Sequence, residues 1–258
     1  MIKNFFIFSD LDKTLIYSKR YIKDIPLNEI VCVEYKDNKP LSYMTKKAYD
    51  YFSKILAKSN FIPCSMRSLS QIKNIELFKN SIYKYMICYC GAEIYIDGKL
   101  DEEYNNLIKE KIDLNELLSF QSFFESYFKT SRSRMYGNYF IEIKEEDPDT
   151  RQAIFDFLSK TLNTNKYNIS LLSTNKLYVT PIVLNKCYAM NYLINKNKNI
   201  KSIALGDSFV DYDFINYADY SFIPNHCELN SSKTIYKSEK DFIYGGEDIL
   251  EKINDFIF

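Results

Sequence analysis

The stretch Phe5-Phe6-Ile7-Phe8-Ser9-Asp10-Leu11-Asp12-Lys13-Thr14 decides how the rest of the chain is read. A short apolar run ends in two aspartates spaced i, i+2, followed by a threonine. Such a run fits a strand buried on both faces of a parallel sheet. In open α/β sheets, ligands bind just beyond the carboxyl ends of these strands. Carboxylates there can supply a nucleophile or metal ligand, Asp10, and a proton-transfer group, Asp12. The plain alternative is a pair of turn or capping aspartates. At average composition a D-x-D-x-T pattern arises by chance in a chain this long at a rate of about 0.03.

Working outward, residues 46–58 place Ala48, Tyr51, Phe52, Ile55 and Leu56 on one helical face. Phe61-Ile62-Pro63-Cys64 reads as a second strand that ends at Ser65-Met66-Arg67-Ser68. Residues 69–79 suit a helix, and Tyr85–Tyr89 a third strand. Strand, helix, strand, helix, strand in that order predicts a parallel sheet with right-handed crossovers.

The rhythm changes after Gly91. Ile94–Lys99 reads as a hairpin turning at Asp97-Gly98. A single long helix is expected over 101–128, a half-buried strand over Tyr139–Lys144, and a helix near Asp149 with Pro148 as its start signal. Lys176–Thr180 reads as a strand. The first rhythm returns with a helix over Cys187–Asn195, a strand over Ile200–Leu205 and Gly206-Asp207-Ser208-Phe209-Val210-Asp211. A helix over 210–217, a strand over Tyr220–Ile223 and an amphipathic helix over Glu247–Ile257 close the chain. The expected architecture is α/β: a Rossmann-like three-layer core with a parallel sheet, 1–89 and 179–258, carrying an inserted α+β unit, 90–178.

Composition narrows the function classes. The 258 residues carry 34 basic and 34 acidic side chains and are 46% hydrophobic. Nothing in that balance points to nucleic acid or to an anionic membrane surface, and neither is expected as a partner. The six cysteines are scattered, with no C-x-x-C pair or zinc spacing, as expected of a reduced, cytoplasmic chain. The apolar start stops at Ser9, too short for a signal-peptide core, and no later run approaches the ~20 residues of a membrane span.

Four segments now fall at strand ends or helix starts of one core: Asp10-x-Asp12-x-Thr14, Ser65, Lys186 and Gly206-Asp207-x-x-x-Asp211. Serine at a strand end is ordinarily a cap, a lone lysine is ordinarily solvated, and Gly-Asp is ordinary turn chemistry. The ordered set is what is specific. It resembles the four motifs of the haloacid dehalogenase (HAD) superfamily across the whole chain. An α/β cap between the second and third motifs resembles the Cof-type and sucrose-phosphate-phosphatase-like branches. Pro40–Thr45 with Phe61–Ser68 also looks like small HAD hydrolases associated with tellurite-resistance and stress operons.

The resemblance implies a Mg²⁺-dependent phosphatase for a small phosphorylated metabolite such as a sugar phosphate. Phosphoryl oxygens repel an anionic nucleophile, and a divalent cation offsets that charge. Asp10 would attack to give an aspartyl-phosphate. Asp12 would protonate the leaving oxygen and then activate water. Ser65 would hydrogen-bond a phosphoryl oxygen, and Lys186 would neutralise charge between nucleophile and phosphate. Asp10, the Asp12 carbonyl, Asp207 and Asp211 would hold Mg²⁺, an ion suited to hard oxygen ligands. Thr14 and Arg67 are further candidates for substrate contact. So are Arg132 and Arg134, whose i, i+2 spacing puts both on one face of a strand in the inserted unit. A phosphomutase or phosphotransferase shares this intermediate, and an accessory protein with little turnover shares this fold.

The sequence departs from the family pattern in places. Cys90-Gly91 replaces an Asn-Gly common after the third strand, and Ser65-Met66-Arg67 replaces Thr-Gly-Arg. Lys13 stands where a small residue is commoner, a change expected to be tolerated if its side chain points outward. His226, the only histidine, is expected as a surface or loop residue rather than as a catalytic base.

Overall fold

Strand Phe5–Ser9 is buried at every position because it has a parallel neighbour on each side. Lys201–Leu205 pairs along one edge, Phe5 opposite Lys201, and Asn60–Pro63 along the other, Phe6 opposite Asn60. Tyr220–Ile223 and Thr234–Lys237 extend the sheet to five parallel strands. This computed structural model describes residues 5–79, 83–128, 131–171, 175–227, 229 and 234–258. Among the described residues, no helix is long and apolar enough to cross a membrane.

The chain divides into two compact units, one holding residues up to Asp101 together with Lys186–Phe258, the other Glu102–Asn185. These bounds differ from the 90 and 178 read from the sequence. Tyr85–Cys88 pairs antiparallel with Glu93–Ile96, which pairs with Lys99–Leu100, and this hairpin stays with the first unit. Tyr85–Cys88 meets the neighbouring strand of the parallel sheet through a bridge between Cys64 and Ile87. Asp97 and Gly98 turn the hairpin with φ of 50° and 78°, the left-handed pair that tight hairpins need. Asp101, the last residue of this arm, accepts hydrogen bonds from Tyr192 and Lys196 at 3.0 Å each. Both donors lie on the helix Lys186–Lys196.

In the first unit, Thr45 caps helix Lys46–Lys58, accepting from Ala48 N. The helix buries Ala48, Phe52 and Ile55. Phe52 meets Phe61 and Phe78 edge-on at 4.8 and 5.8 Å, an arrangement favoured by ring quadrupoles. The sequence reading missed a three-stranded antiparallel sheet of Tyr17–Ser18, Lys39–Thr45 and Ile30–Lys36. It also missed Thr234–Lys237. The 69–79 segment is two short helices, Leu69–Lys73 and Glu76–Lys79. The final helix begins at Phe242, five residues before the expected Glu247. Its Gly246 lies so close to the Thr14 turn that a Cβ there would sit 2.9 Å from Thr14 O.

The second unit is a four-stranded antiparallel sheet, ordered Tyr167–Leu171, Lys176–Pro181, Phe140–Lys144, Arg132–Tyr136. Helices Leu114–Tyr127 and Pro148–Thr161 contribute Leu117, Phe124, Ile154 and Leu158 to its core, against Ile141, Ile143, Leu177 and Val179. Every second residue of the central strands therefore faces the helices. The single helix expected over 101–128 is two, Glu102–Lys109 and Leu114–Tyr127. Asp113 breaks it by capping the second, accepting from Glu116 N at 3.0 Å.

Candidate active site

Asp10 is the first residue past strand Phe5–Ser9, and its N–H still donates to Leu205 O at 2.8 Å. The chain then turns sharply: Leu15 and Ile16 both donate to Leu11 O at 2.9 Å. Lys13 takes a φ of 62° within this turn, a conformation that costs a non-glycine residue about 1–2 kcal/mol. Ser65 lies at the matching end of the next strand, with its N–H on Ile87 O at 3.1 Å and its hydroxyl accepting from Arg67 N at 3.3 Å.

On the other side of Asp10, strand Lys201–Leu205 leads into Gly206-Asp207-Ser208. Asp211 folds back on that turn. Its Oδ2 accepts from Asp207 N, Ser208 N and Ser208 Oγ at 3.2, 3.0 and 2.9 Å. Gly206 makes this possible: a Cβ there would stand 2.5 Å from the Asp211 Cβ.

Carboxylate oxygens of Asp10, Asp207 and Asp211 all lie within 4.8 Å of one another. Lys186, at the start of its helix, donates to Asp10 Oδ1 and Asp211 Oδ1, both at 2.6 Å. Its side chain is only 2% exposed. Burial alone would lower its pKa, but Asp10 and Asp211 outweigh burial and hold it charged.

One ammonium does not balance three carboxylates. Burial pushes Asp10 up to about 8, with Asp211, Asp207 and Asp12 adding to the rise and Lys186 opposing it. Burial also raises Asp207, opposed by the nearby Lys13 and His226. An excess of buried negative charge on oxygen donors is what a hard divalent cation relieves. The three carboxylates fit such an ion.

Asp12 stands apart from this cluster. Its side chain is 53% exposed and held by Arg67, whose Nε and Nη2 donate to Oδ2 and Oδ1 at 2.7 and 2.8 Å. Thr14 is fully buried and donates to Asp207 Oδ1 at 3.4 Å. Lys13 does not meet the condition of pointing outward. Its Nζ lies 3.9 Å from Asp207 Oδ2, because the left-handed turn aims the side chain back over the site. His226, expected as a surface or loop residue, lies in a turn, but its side chain is only 13% exposed, stacks on Phe242 at 4.8 Å and sits 3.7 Å from Asp207 Oδ2. Arg132 and Arg134 share one exposed face of strand Arg132–Tyr136 in the other unit, with Arg134 over the Tyr136 ring at 4.8 Å.

Solved structures align with the chain from end to end. A sucrose-phosphatase from Synechocystis, solved with sucrose and phosphate, superposes with a TM-score of 0.63 at 16% identity over 98% of each chain. A trehalose-6-phosphate phosphatase-related protein gives 0.57 at 16% identity over 97% of each. A haloacid dehalogenase-like hydrolase from Bacteroides thetaiotaomicron gives 0.59 at 16% identity, covering 99% of this chain and 100% of the other. The chain has the haloacid dehalogenase fold. No protein-family model matches the sequence, and no curated protein matches it. Identity this low carries the HAD fold alone, so the chemistry rests on the residues.

Within the HAD fold, one residue close to the Asp12 end was invisible in the sequence. Glu34, in strand Ile30–Lys36, is 3% exposed and accepts from Arg67 Nη1 at 2.6 Å. A glutamate flanked by Tyr35, Lys36 and Asp37 reads as a solvated strand end. Only the irregular pairing around it, where the register shifts on both sides of Glu34, turns it inward.

Proposed function

We propose that the chain is a metal-dependent phosphatase that hydrolyses a small phosphorylated metabolite through an aspartyl-phosphate on Asp10. The observation that carries this reading is the convergence of Asp10, Asp207 and Asp211 within 4.8 Å, with Lys186 bridging Asp10 and Asp211 at 2.6 Å. Asp10, Asp207 and Asp211, with the Asp12 carbonyl, would hold Mg²⁺. The ion, when bound, neutralises phosphoryl charge and keeps Asp10 anionic.

An Asp10 carboxylate oxygen forms the new bond to phosphorus as the ester P–O bond breaks. The leaving oxygen takes its proton from Asp12. A water then gives a proton back to Asp12 and attacks phosphorus, breaking the Asp10–phosphorus bond and releasing phosphate. Lys186 keeps its charge throughout and stabilises the anionic oxygens between nucleophile and phosphoryl group. Ser65 and Thr14 are proposed to orient the phosphoryl group. Solved neighbours named for sucrose phosphate and trehalose 6-phosphate support a phosphorylated sugar as the substrate class. Six free thiols fit a reducing, cytoplasmic setting.

The test is phosphate release from p-nitrophenyl phosphate and from a panel of sugar phosphates, with and without Mg²⁺. The parent chain should turn over with the metal, and Asp10→Asn should lose more than 10³-fold, on the order of other removed nucleophiles. No release from any of these substrates overturns the reading. Full activity in Asp10→Asn removes Asp10 as the nucleophile.

A further inference from the structure

The fork that holds Asp12 has a second, deeper anchor. Arg67 Nη1 and Nη2 donate to Glu34 Oε1 and Oε2 at 2.6 and 3.1 Å, while Nε and Nη2 serve Asp12. Nη1 also reaches Gln71 O at 3.4 Å. Glu34 is fixed from its other side by Ser42, whose hydroxyl donates to Oε2 at 2.6 Å. Side-chain exposure falls along the series, from 53% at Asp12 to 14% at Arg67 and 4% at Glu34. One guanidinium thus ties an exposed carboxylate to a buried one.

A buried carboxylate without a partner is strongly disfavoured, so Glu34 and Arg67 hold each other firmly. Burial would lower the Arg67 pKa, yet Asp12 and Glu34 together raise it. An arginine already immobilised by Glu34, Gln71 and its own burial loses little further freedom on meeting Asp12. An exposed aspartate facing a free surface arginine would gain almost nothing. The double contact with Asp12 is also the two-point geometry that fixes a carboxylate's plane as well as its position.

We infer that Glu34 is a positioning residue for proton transfer: through Arg67 it sets where the Asp12 carboxylate stands. This inference rests on the phosphatase reading of Asp10 and Asp12. Glu34 touches neither the metal-ligating cluster nor the reacting atoms, and none of the four sequence motifs contains it. It acts because proton transfer demands a donor held within hydrogen-bond reach, where small misplacement is costly.

The test compares two phosphate monoesters by kcat/KM, which reports steps up to departure of the leaving group. p-Nitrophenolate leaves with little need of a proton, whereas the alkoxide of glycerol 2-phosphate needs one. Asp12→Asn sets the reference signature, a larger loss on glycerol 2-phosphate than on p-nitrophenyl phosphate. Glu34→Gln should show the same signature, with the ratio of the two kcat/KM values shifting at least tenfold. Arg67→Lys, which keeps the buried cation and removes the fork, should do likewise. The double variant should lose little beyond the worse single one, because both act through one carboxylate.

A folded Glu34→Gln protein whose two kcat/KM values fall by the same factor, or not at all, overturns the inference and leaves the phosphatase reading intact. If Glu34→Gln does not fold, Arg67→Lys decides, and an unshifted ratio there overturns it equally. Absence of turnover in the parent chain overturns both.

Discussion

Lys186 Nζ lies 2.6 Å from Asp211 Oδ1, with both side chains essentially sealed from solvent. The same ammonium serves Asp10. Replacing it leaves two buried carboxylates facing each other. Lys186→Met should cost about 3–5 kcal/mol of stability, the usual penalty for breaking one side of a buried pair. It should also lower kcat/KM about 10²–10³-fold. Urea unfolding and steady-state kinetics on the same preparation check both. If stability is unchanged, the ion pair is not what fills that space.

Metal binding should stabilise the fold, since the cation favours the clustered carboxylates of the native state. At a Mg²⁺ concentration about 100 times its Kd the gain is about 2.7 kcal/mol. Asp207→Asn should weaken Mg²⁺ binding more than about tenfold and erase most of the thermal shift. Calorimetric titration and thermal melts with and without chelator measure this. An undiminished shift in Asp207→Asn would remove that residue from the metal site.

Gly206→Ala tests the turn that folds Asp211 back. The new Cβ would fall 2.5 Å from Asp211 Cβ, so one of the two must move. The expected cost is about 1–3 kcal/mol, as for overpacking a tight site. Mg²⁺ affinity should fall with it, because Asp211 cannot move alone. A variant with parent-like affinity would show that the turn relaxes without disturbing Asp211.

Acid stability should depend on Asp219, well away from the site. Burial opposes its ionisation, but Lys201 Nζ at 2.6 Å and both the N–H and hydroxyl of Ser202 at 2.9 Å outweigh burial and lower its pKa. A carboxylate depressed in the folded state stabilises the fold above its unfolded pKa, near 3.8. That contribution is lost as pH falls below this value and through the folded one. Asp219→Asn should therefore flatten the stability curve below about pH 4 and lower stability at pH 7. Urea midpoints across pH 2.5–7 provide the comparison, and parallel curves for parent and variant would refute it.

The strand that leads to Asp10 was legible because a strand buried on both faces must be apolar throughout, as Phe5–Phe8 is. The turn at Asp97-Gly98 was legible for a similar reason, since few residues accept two left-handed positions in succession. The sheet of Ile30–Lys36 and Lys39–Thr45 was not. Its alternation breaks where the register shifts around Glu34, so Val33 and Glu34 are both buried. The split of the 101–128 helix was hidden because no glycine or proline marks it. Asp113 does that work with a side-chain cap. The direction of the Lys13 side chain was not legible for a local reason, because it follows from a backbone angle that residue identity does not dictate.

Asp101, where the chain leaves the first unit, is hydrogen-bonded to Tyr192 and Lys196, and the chain returns at Lys186, the first residue of that same helix. Departure and re-entry thus share one mooring. An inserted segment held this way leaves and rejoins the first unit at one helix. The hydrogen bonds that join Asp10, Asp211 and Lys186 all lie within the first unit, so the inserted segment contributes none of them. Replacing the residues between Asp101 and Lys186 would therefore leave each of those three partners in the unit that holds it.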